Sequence, residues 1–298
     1  MSARKLVYRL MVSAPAFFVL GLGVHARMFS SHYDIVRDDP HSEAEILAYV
    51  PYLRQSKAFV ARDPHATVAE ARRVAEAWVS GAGKGDLKPL SPVAFEDTSS
   101  DGAKSQIFDT KSQIATRLIN GIGESARSGN TRRAVQDAVL VVKLADILKY
   151  SDFISLFNCA GEQRRALHQI EAMSSKLSLA DCQVIADALP DTKPQPARID
   201  RMVRRSKQMF LTWRERRGYE PLSIEDTQLL SEIPALVRND NAVALREMRD
   251  RIYASKDDHV PTYCSSVRLG VGAQELLNQD ITKVTELIAK RRSSPASK

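Results

Sequence analysis

Residues 134–148 read AVQDAVLVVKLADIL, and apolar side chains cover most of the circumference of the helix that this run predicts. A helix that is apolar on every side must be enclosed by other elements, because no face of it suits water. The enclosing elements are also predicted to be helices, since aromatic residues are only 6% of the chain and its 298 residues include only thirteen glycines. We therefore predict an all-α fold with this run at its centre.

The longest uncharged run lies near the start of the chain, where seventeen residues separate Arg9 from Arg27. Seventeen residues can just span a bilayer, and arginine side chains can reach the interface on either side. The basic residues before the run and the small residue Ala26 equally fit a signal peptide that is cleaved after Ala26. An ordinary core helix is the least favoured interpretation, because the run has no polar face.

Both favoured interpretations of this run give the chain the same location. The positive N-terminus stays in the cytoplasm, and the bulk of the chain is delivered to the extracytoplasmic side. The protein is then either anchored in the inner (cytoplasmic) membrane or released into the periplasm after cleavage at Ala26.

Composition divides the chain into five segments. Capping patterns at Ser42 with Glu45 and at Thr67 with Glu70 predict helices near 43–60 and 68–80, and Pro51 is expected to kink or split the first. The segments are an N-terminal signal anchor or signal peptide (1–27), short helices after the membrane (28–80), an irregular loop (81–102), a helical-hairpin domain (103–292) and a disordered tail (293–298).

Two similar runs predict repeated helix starts within the hairpin domain. The run LSLADCQVI begins at Leu177 and LSIEDTQLL begins at Leu222, so that Leu, Ser, Asp and Gln recur in register. In each run the serine and the aspartate three residues later form a capping box, with aspartate in place of the usual glutamate. A further turn near Ser175 is expected to pair the two helices on either side of it.

A second pair of runs, GNTRRAVQDA from Gly129 and NDNAVALREM from Asn239, places a turn before an alanine and then an acidic residue. At the turns Gly129-Asn130 and Asn239-Asp240 the chain resembles tetratricopeptide-type repeats, although its intervals of 45 and 110 residues differ from the 34 of that family. The resemblance implies an α-solenoid-like, right-handed stack of antiparallel helical hairpins. It also implies a concave face that binds other proteins.

No motif in the sequence predicts a catalytic, metal or cofactor site. The run SGAGKGD at Ser80 lacks the serine or threonine that a phosphate-binding loop needs after its lysine, and no two histidines are four residues apart as in a helical zinc pair. Glu162, His168 and Glu171 fit one helical face as acid-base groups, but solvated charges explain them as well. We expect no cofactor and no metal, and buried free thiols at the three cysteines.

The strongest charged feature is a basic helix predicted within residues 197–217, a segment that contains eight basic residues and only two acidic ones. Ile199, Met202, Val203, Phe210 and Trp213 fall on one side of this helix. The opposite side carries the candidate anionic-surface contacts, Arg198, Arg201, Arg204 and Arg205. A solvated face is the simplest explanation, followed by anionic lipid, an acidic protein partner and, last, nucleic acid.

We therefore expect a non-catalytic scaffold that binds a protein or peptide in the cell envelope. One alternative is an envelope-acting enzyme whose carboxylates and histidines meet only in the fold. Another is a peripheral protein that binds anionic lipid through the helix from Arg198 to Arg217.

Overall fold

The computed structural model describes residues 40–90, 99–190, 196–238, 244, 247–255, 257 and 259–293. Every regular element in these residues is helical, which confirms the all-α prediction. We label the helices α1 (Pro40–Gln55), α2 (Lys57–Val60), α3 (Val68–Gly83), α4 (Ser99–Arg127), α5 (Thr131–Leu148), α6 (Phe153–Ala172), α7 (Leu179–Ala186), α8 (Pro196–Arg216), α9 (Ile224–Arg238), α10 (Arg249–Tyr253) and α11 (His259–Ser293). A single 3₁₀ turn, Ser174–Lys176, lies between α6 and α7.

Side-chain caps fix where several helices begin. Ser178 and Asp181 form the predicted capping box at the start of α7, and Ser223 accepts a hydrogen bond from the backbone N–H of Asp226 at the start of α9. Both repeated helix starts are therefore confirmed. Thr67 likewise caps α3 at the predicted position. Each cap satisfies an N–H that has no partner within its helix.

The first predicted helix divides at a different residue from the one expected. Pro51 lies inside α1, and the break comes at Ser56, which is buried. The Ser56 hydroxyl donates to the carbonyl of Tyr52 and accepts a hydrogen bond from the indole of Trp78 at 3.1 Å. A buried polar group needs such partners, and here they hold the turn between α1 and α2 against α3.

Helix α5 lies at the centre of the fold, as its sequence predicts. Eleven side chains between residues 134 and 148 are buried, among them that of Asp137. The Asp137 carboxylate accepts two hydrogen bonds of 2.7 Å from Arg72 of α3, so the one acidic group on the buried face is paired. Helix α4 joins α5 through the predicted turn at Gly129 and Asn130, where Gly129 has a φ of +79°.

The long last helix returns to the middle of the chain and packs beside α6. A Cβ atom built on Gly270 would lie 2.7 Å from the carbonyl oxygen of Phe153, so the backbones nearly touch there. Further along, the Arg164 Nε atom lies 2.7 Å from the Asp280 carboxylate. Residue numbers increase together along both helices, so α6 and α11 run parallel.

The buried apolar side chains form two cores. The first core lies among α1 to α7 and the second half of α11, with Trp78, Leu118 and Leu144 fully buried. The second core joins α8, α9 and α10 to the starts of α6 and α11, with Phe210 and Tyr263 stacked at 4.9 Å between ring centroids. Helices α6 and α11 therefore contribute to both cores.

Several predictions concern residues that the structure does not describe. The apolar run before Arg27, the cleavage position Ala26 and the turn Asn239-Asp240 all lie outside the described residues. Among the helices of the described part, none combines the length and the apolarity that a bilayer crossing requires. All three cysteines, Cys159, Cys182 and Cys264, are buried free thiols, as predicted.

Candidate functional site: the basic helix and the outer groove

Helix α8 is amphipathic in the way its sequence predicts. Met202, Val203 and Phe210 are each only 1% exposed and belong to the second core. Arg201 and Arg204 lie on the opposite side and are exposed. The helix thus presents guanidinium groups to solvent while its apolar side holds it in place.

The other two candidate arginines of α8 have acidic neighbours within the molecule. An Nη atom of Arg198 lies 3.5 Å from the Asp146 carboxylate of α5, and one of Arg205 lies 3.3 Å from Glu45 of α1. Such partly exposed pairs each contribute roughly 0.2–1 kcal/mol. They connect the basic helix to the first core and reduce its free positive charge.

Arg214, which contributes to the basic excess of the sequence, serves the fold instead. It is buried, pairs with Asp257 and donates a 2.7 Å hydrogen bond to the Glu220 carbonyl. Burial alone would raise the pKa of Asp257, but hydrogen bonds from the His259 backbone and from Arg214 lower it below its usual value. Asp257 therefore acts as the charged cap at the start of α11, where its carboxylate accepts hydrogen bonds from the backbone N–H groups of His259 and Val260.

The structure does not bring together Glu162 and His168, two of the three residues of α6 that the sequence offered as acid-base groups. Glu162 is buried against α4, where its carboxylate lies 2.5 Å from the Lys111 ammonium and accepts a hydrogen bond from Ser112. His168 points instead to α11, with its Nε2 atom 3.1 Å from the Asp280 carboxylate. Glu162 and His168 thus face different neighbours.

The cluster around Lys111 is a feature that the sequence interpretation missed. The ammonium group of Lys111 also lies 3.3 Å from the Cys159 sulfur. Burial lowers the pKa of Lys111, but the adjacent Cys159 and Glu162 groups outweigh it and raise that pKa above its ordinary value. Burial raises the pKa of the Cys159 thiol to about 11, so this cysteine is not a reactive thiolate at neutral pH.

Lys149, at the turn between α5 and α6, is a second buried lysine, and it differs from Lys111 in having no ion-pair partner at its ammonium group within the part of the chain that the structure describes. Its side chain is fully buried, and its ammonium has no hydrogen-bond partner among the described residues. Burial lowers its pKa to about 8, against the smaller opposing effect of Asp146. The Tyr150 ring, 5.6 Å away, also favours the charged form.

The outer surface between α6 and α11 carries four large apolar side chains, and we call it the outer groove. Ile154 and Phe157 of α6 are 47% and 42% exposed, and Leu269 and Leu276 of α11 are 51% and 42% exposed. Since Phe153 lies level with Gly270, and Arg164 with Asp280, Phe157 lies level with a point between Leu269 and Leu276. Because all four are exposed and lie at one level of two packed helices, we infer that they form one patch.

The outer groove ends at a group of basic side chains, which we call the basic cluster: Arg164, Arg165, His168 and Lys283. The buried Asp280 carboxylate contacts three of these four. Burial alone would raise the pKa of Asp280, but hydrogen bonds from Arg164 and His168 lower it. The groove thus changes from apolar to positive over about two helical turns.

An open depression of about 380 Å³ lies between α7 and α11. Its lining is mostly apolar or small, with Arg292 at one edge, and the Arg292 side chain is already held by Gln183 at 2.6 Å. The residues around it are Ala186, Leu189, Pro190, Ile281, Thr285, Ile288, Ala289 and Arg292. In the described part of the chain, no group of histidine, cysteine and acidic side chains is arranged to hold a metal ion.

Comparisons with known proteins found no relative for this architecture. No family model matches the chain, and neither a curated protein nor a solved structure is significantly similar to it. Function must therefore be argued from the surfaces of the molecule itself.

Proposed function

We propose that the protein is a non-catalytic scaffold that binds another protein or peptide of the cell envelope through the outer groove. The observation that carries this proposal is the patch of Ile154, Phe157, Leu269 and Leu276 on two neighbouring helices. Single exposed apolar residues are common on protein surfaces, whereas a contiguous patch marks an interaction site. The patch also ends at charged side chains, which give an interface its specificity.

Buried contacts hold the two helices under the outer groove to their neighbours, which supports a docking role. Helix α6 is fixed to α4 by the buried Lys111–Glu162 pair and to α5 by a 3.0 Å hydrogen bond from Gln163 to the Val142 carbonyl. Helix α11 is held at its far end by Arg291, which donates to the Leu177 carbonyl. A surface that does not rearrange loses little entropy on binding.

We further propose that this scaffold works on the extracytoplasmic side, tethered or released by the apolar run before Arg27. The support is the sequence: seventeen uncharged residues follow a positively charged start. The succession of helices α4 to α7, joined by short turns, is the feature that supports a repeat-like arrangement of this region. Mass spectrometry of the mature N-terminus and a reporter fused after Lys298 test the location.

Photo-crosslinking from the outer groove tests the scaffold proposal. A photoreactive amino acid replaces Phe157 in the full chain, which is expressed in its native cells. We expect a discrete crosslinked product that disappears when Leu276→Asp is added. The matched control carries the photoreactive residue at Ile224, which is 83% exposed and lies on α9. The proposal fails if position 157 gives no product, or the same products as position 224.

A second function, binding of anionic lipid, is favoured by the exposed Arg201 and Arg204 of α8. Juxtamembrane basic residues each contribute roughly 1 kcal/mol to association with an anionic leaflet. If residues 1–27 anchor the chain, α8 has a membrane within its reach. The fragment 28–298 would then bind phosphatidylserine vesicles at low salt and lose that binding when Arg201, Arg204 and Arg205 become Glu. Unchanged binding would exclude this function.

A further inference from the structure

We propose that the partner of the outer groove is an amphipathic helix whose apolar face is followed by acidic side chains. This inference rests on the scaffold function proposed above and names the chemistry of the partner. The groove has an apolar half, lined by Ile154, Phe157, Leu269 and Leu276, and a basic half formed by the basic cluster. A ligand that matches both halves must be apolar along one part and negative along the next.

The dimensions of the groove fit a helix. From Ile154 to His168 it extends over fifteen residues of α6, and the fourteen steps of 1.5 Å between them span about 21 Å. A helix of four turns has the same length and presents apolar side chains at intervals of three and four residues. Gly161 and Gly272 adjoin the apolar half, and no atom lies within 4 Å of a Cβ built on either, so the partner's larger side chains have room there.

The positive charge of the basic half determines that the partner's facing surface is negative. Asp280 is 4% exposed and contacts Arg164, His168 and Lys283, so its single carboxylate offsets only one of their charges. Glu171, one turn beyond His168, is the exposed acid nearest along α6. Glu286 lies equally far beyond Lys283 on α11, so both exposed acids lie past the cluster. Next to the apolar half, Arg164, Arg165 and Lys283 against the one carboxylate of Asp280 leave a positive surface even when His168 is neutral.

The positive half also sets the direction of the bound helix. The C-terminal end of a helix carries partial negative charge, and this end is favoured beside the basic cluster. The partner helix then runs in the same direction as α6 and α11. A second copy of this chain fits less well. In a two-fold dimer the same groove of each copy would form the interface, and neither basic cluster would then meet acidic side chains.

Two synthetic peptides of about 18 residues, roughly five helical turns, test this inference. They share one leucine face, and their polar positions are glutamate in one and lysine in the other. Fluorescence anisotropy with the full chain is expected to show binding of the glutamate peptide at least about tenfold tighter than of the lysine peptide, and weaker as salt increases.

Charge reversals within the groove sharpen the test. Arg165→Glu and Lys283→Glu are each expected to weaken binding of the glutamate peptide by about fivefold to tenfold. Arg132→Glu, on the exposed side of α5, should leave that binding unchanged. Phe157→Ser should weaken both peptides. Equal affinity for the two peptides, binding of neither, or equal loss with Arg132→Glu overturns the inference.

The outcomes separate this inference from the scaffold function. If Phe157 crosslinks a protein in cells but neither peptide binds, the scaffold stands and the acidic helix is wrong. If vesicles of phosphatidylserine compete for the groove, or sedimentation shows dimers that Phe157→Ser abolishes, a lipid or a second copy is the occupant and the inference fails.

Discussion

The two cores of the molecule are stabilised in different ways. In the first core, mostly aliphatic side chains surround paired charges, of which Lys111 with Glu162 is the most deeply buried. In the second core, aromatic rings are prominent, and its main ion pair, between Arg214 and Asp257, lies nearer the surface. The first core should therefore be most sensitive to the loss of one charge, and the second to the loss of ring volume.

The largest effect is expected from Glu162→Gln in the first core. The substitution leaves the Lys111 ammonium buried with no compensating charge, which typically costs 3–5 kcal/mol. Urea unfolding should show a decrease of about that size in the free energy of unfolding. Glu171→Gln, at an exposed position of the same helix, is the matched control and should have almost no effect.

Replacing both partners separates the charge effect from packing. The double variant Lys111→Met with Glu162→Leu removes both charges while keeping apolar volume, and it should be close to the wild type in stability. A double variant as unstable as Glu162→Gln would show that shape, and not charge, determines stability at this position.

The next largest effect is expected from Phe210→Leu in the second core. This change removes the ring stack with Tyr263 and part of the buried volume, and we expect a cost of about 2 kcal/mol. Hydrogen exchange should show lost protection mainly in α8 and the start of α11. Uniform loss of protection across both cores would show that they unfold as one unit.

Lys149→Met should stabilise the protein, in contrast to the change at Glu162. Lys149 is buried without a partner, and removing such a charge is expected to increase the free energy of unfolding by about 1–2 kcal/mol at neutral pH. Lys143→Met, at an exposed position of α5, is the control. A destabilised Lys149→Met protein would show that the cation-π contact with Tyr150 outweighs burial.

The effect of Lys149→Met should also depend on pH. The unfolded chain holds the lysine proton up to the ordinary pKa of 10.5, whereas the folded chain releases it near pH 8. Between these values the unfolded state binds more protons, so the wild type becomes more stable as the pH rises. The stability advantage of the variant is thus greatest below pH 8 and should disappear towards pH 10.5.

The smallest effects are expected at the two repeated helix caps. Ser178→Ala in the first region and Ser223→Ala in the second should each cost about 1 kcal/mol, because each leaves a helix N–H without its partner. Thermal unfolding measures both changes. Equal losses of stability would show that the cap contributes the same amount beside either core. Unequal losses would measure how much the neighbouring core changes that contribution.

Local chemistry and periodicity predicted much of the fold. The caps at Thr67, Ser178 and Ser223, the central α5 and the two sides of α8 all follow from spacing within one helix. The pairing of α6 with α11 was not predictable, because it joins residues more than a hundred positions apart and depends on the close approach at Gly270. The break at Ser56 depends on Trp78, which belongs to another helix 22 positions away along the chain.

The candidate site was less predictable than the fold. Arg201 and Arg204 are exposed as expected, but Asp146 and Glu45 beside Arg198 and Arg205 belong to other helices. Lys111 did carry a local signal, since it falls on the apolar side of α4 between Ile107 and Ile114. A lysine at such a position indicates a buried partner, although the sequence cannot say that the partner is Glu162.

The contact of Gly270 with the Phe153 carbonyl sets the distance between the two helices that bear the proposed docking surface. Even a single methyl group at residue 270 would force the backbones apart, and with them Phe157 and Leu269. This buried glycine thereby determines the width of a groove whose apolar residue Leu269 is its direct neighbour in the chain. Engineering that one residue would tune which partners fit without touching a single side chain they contact.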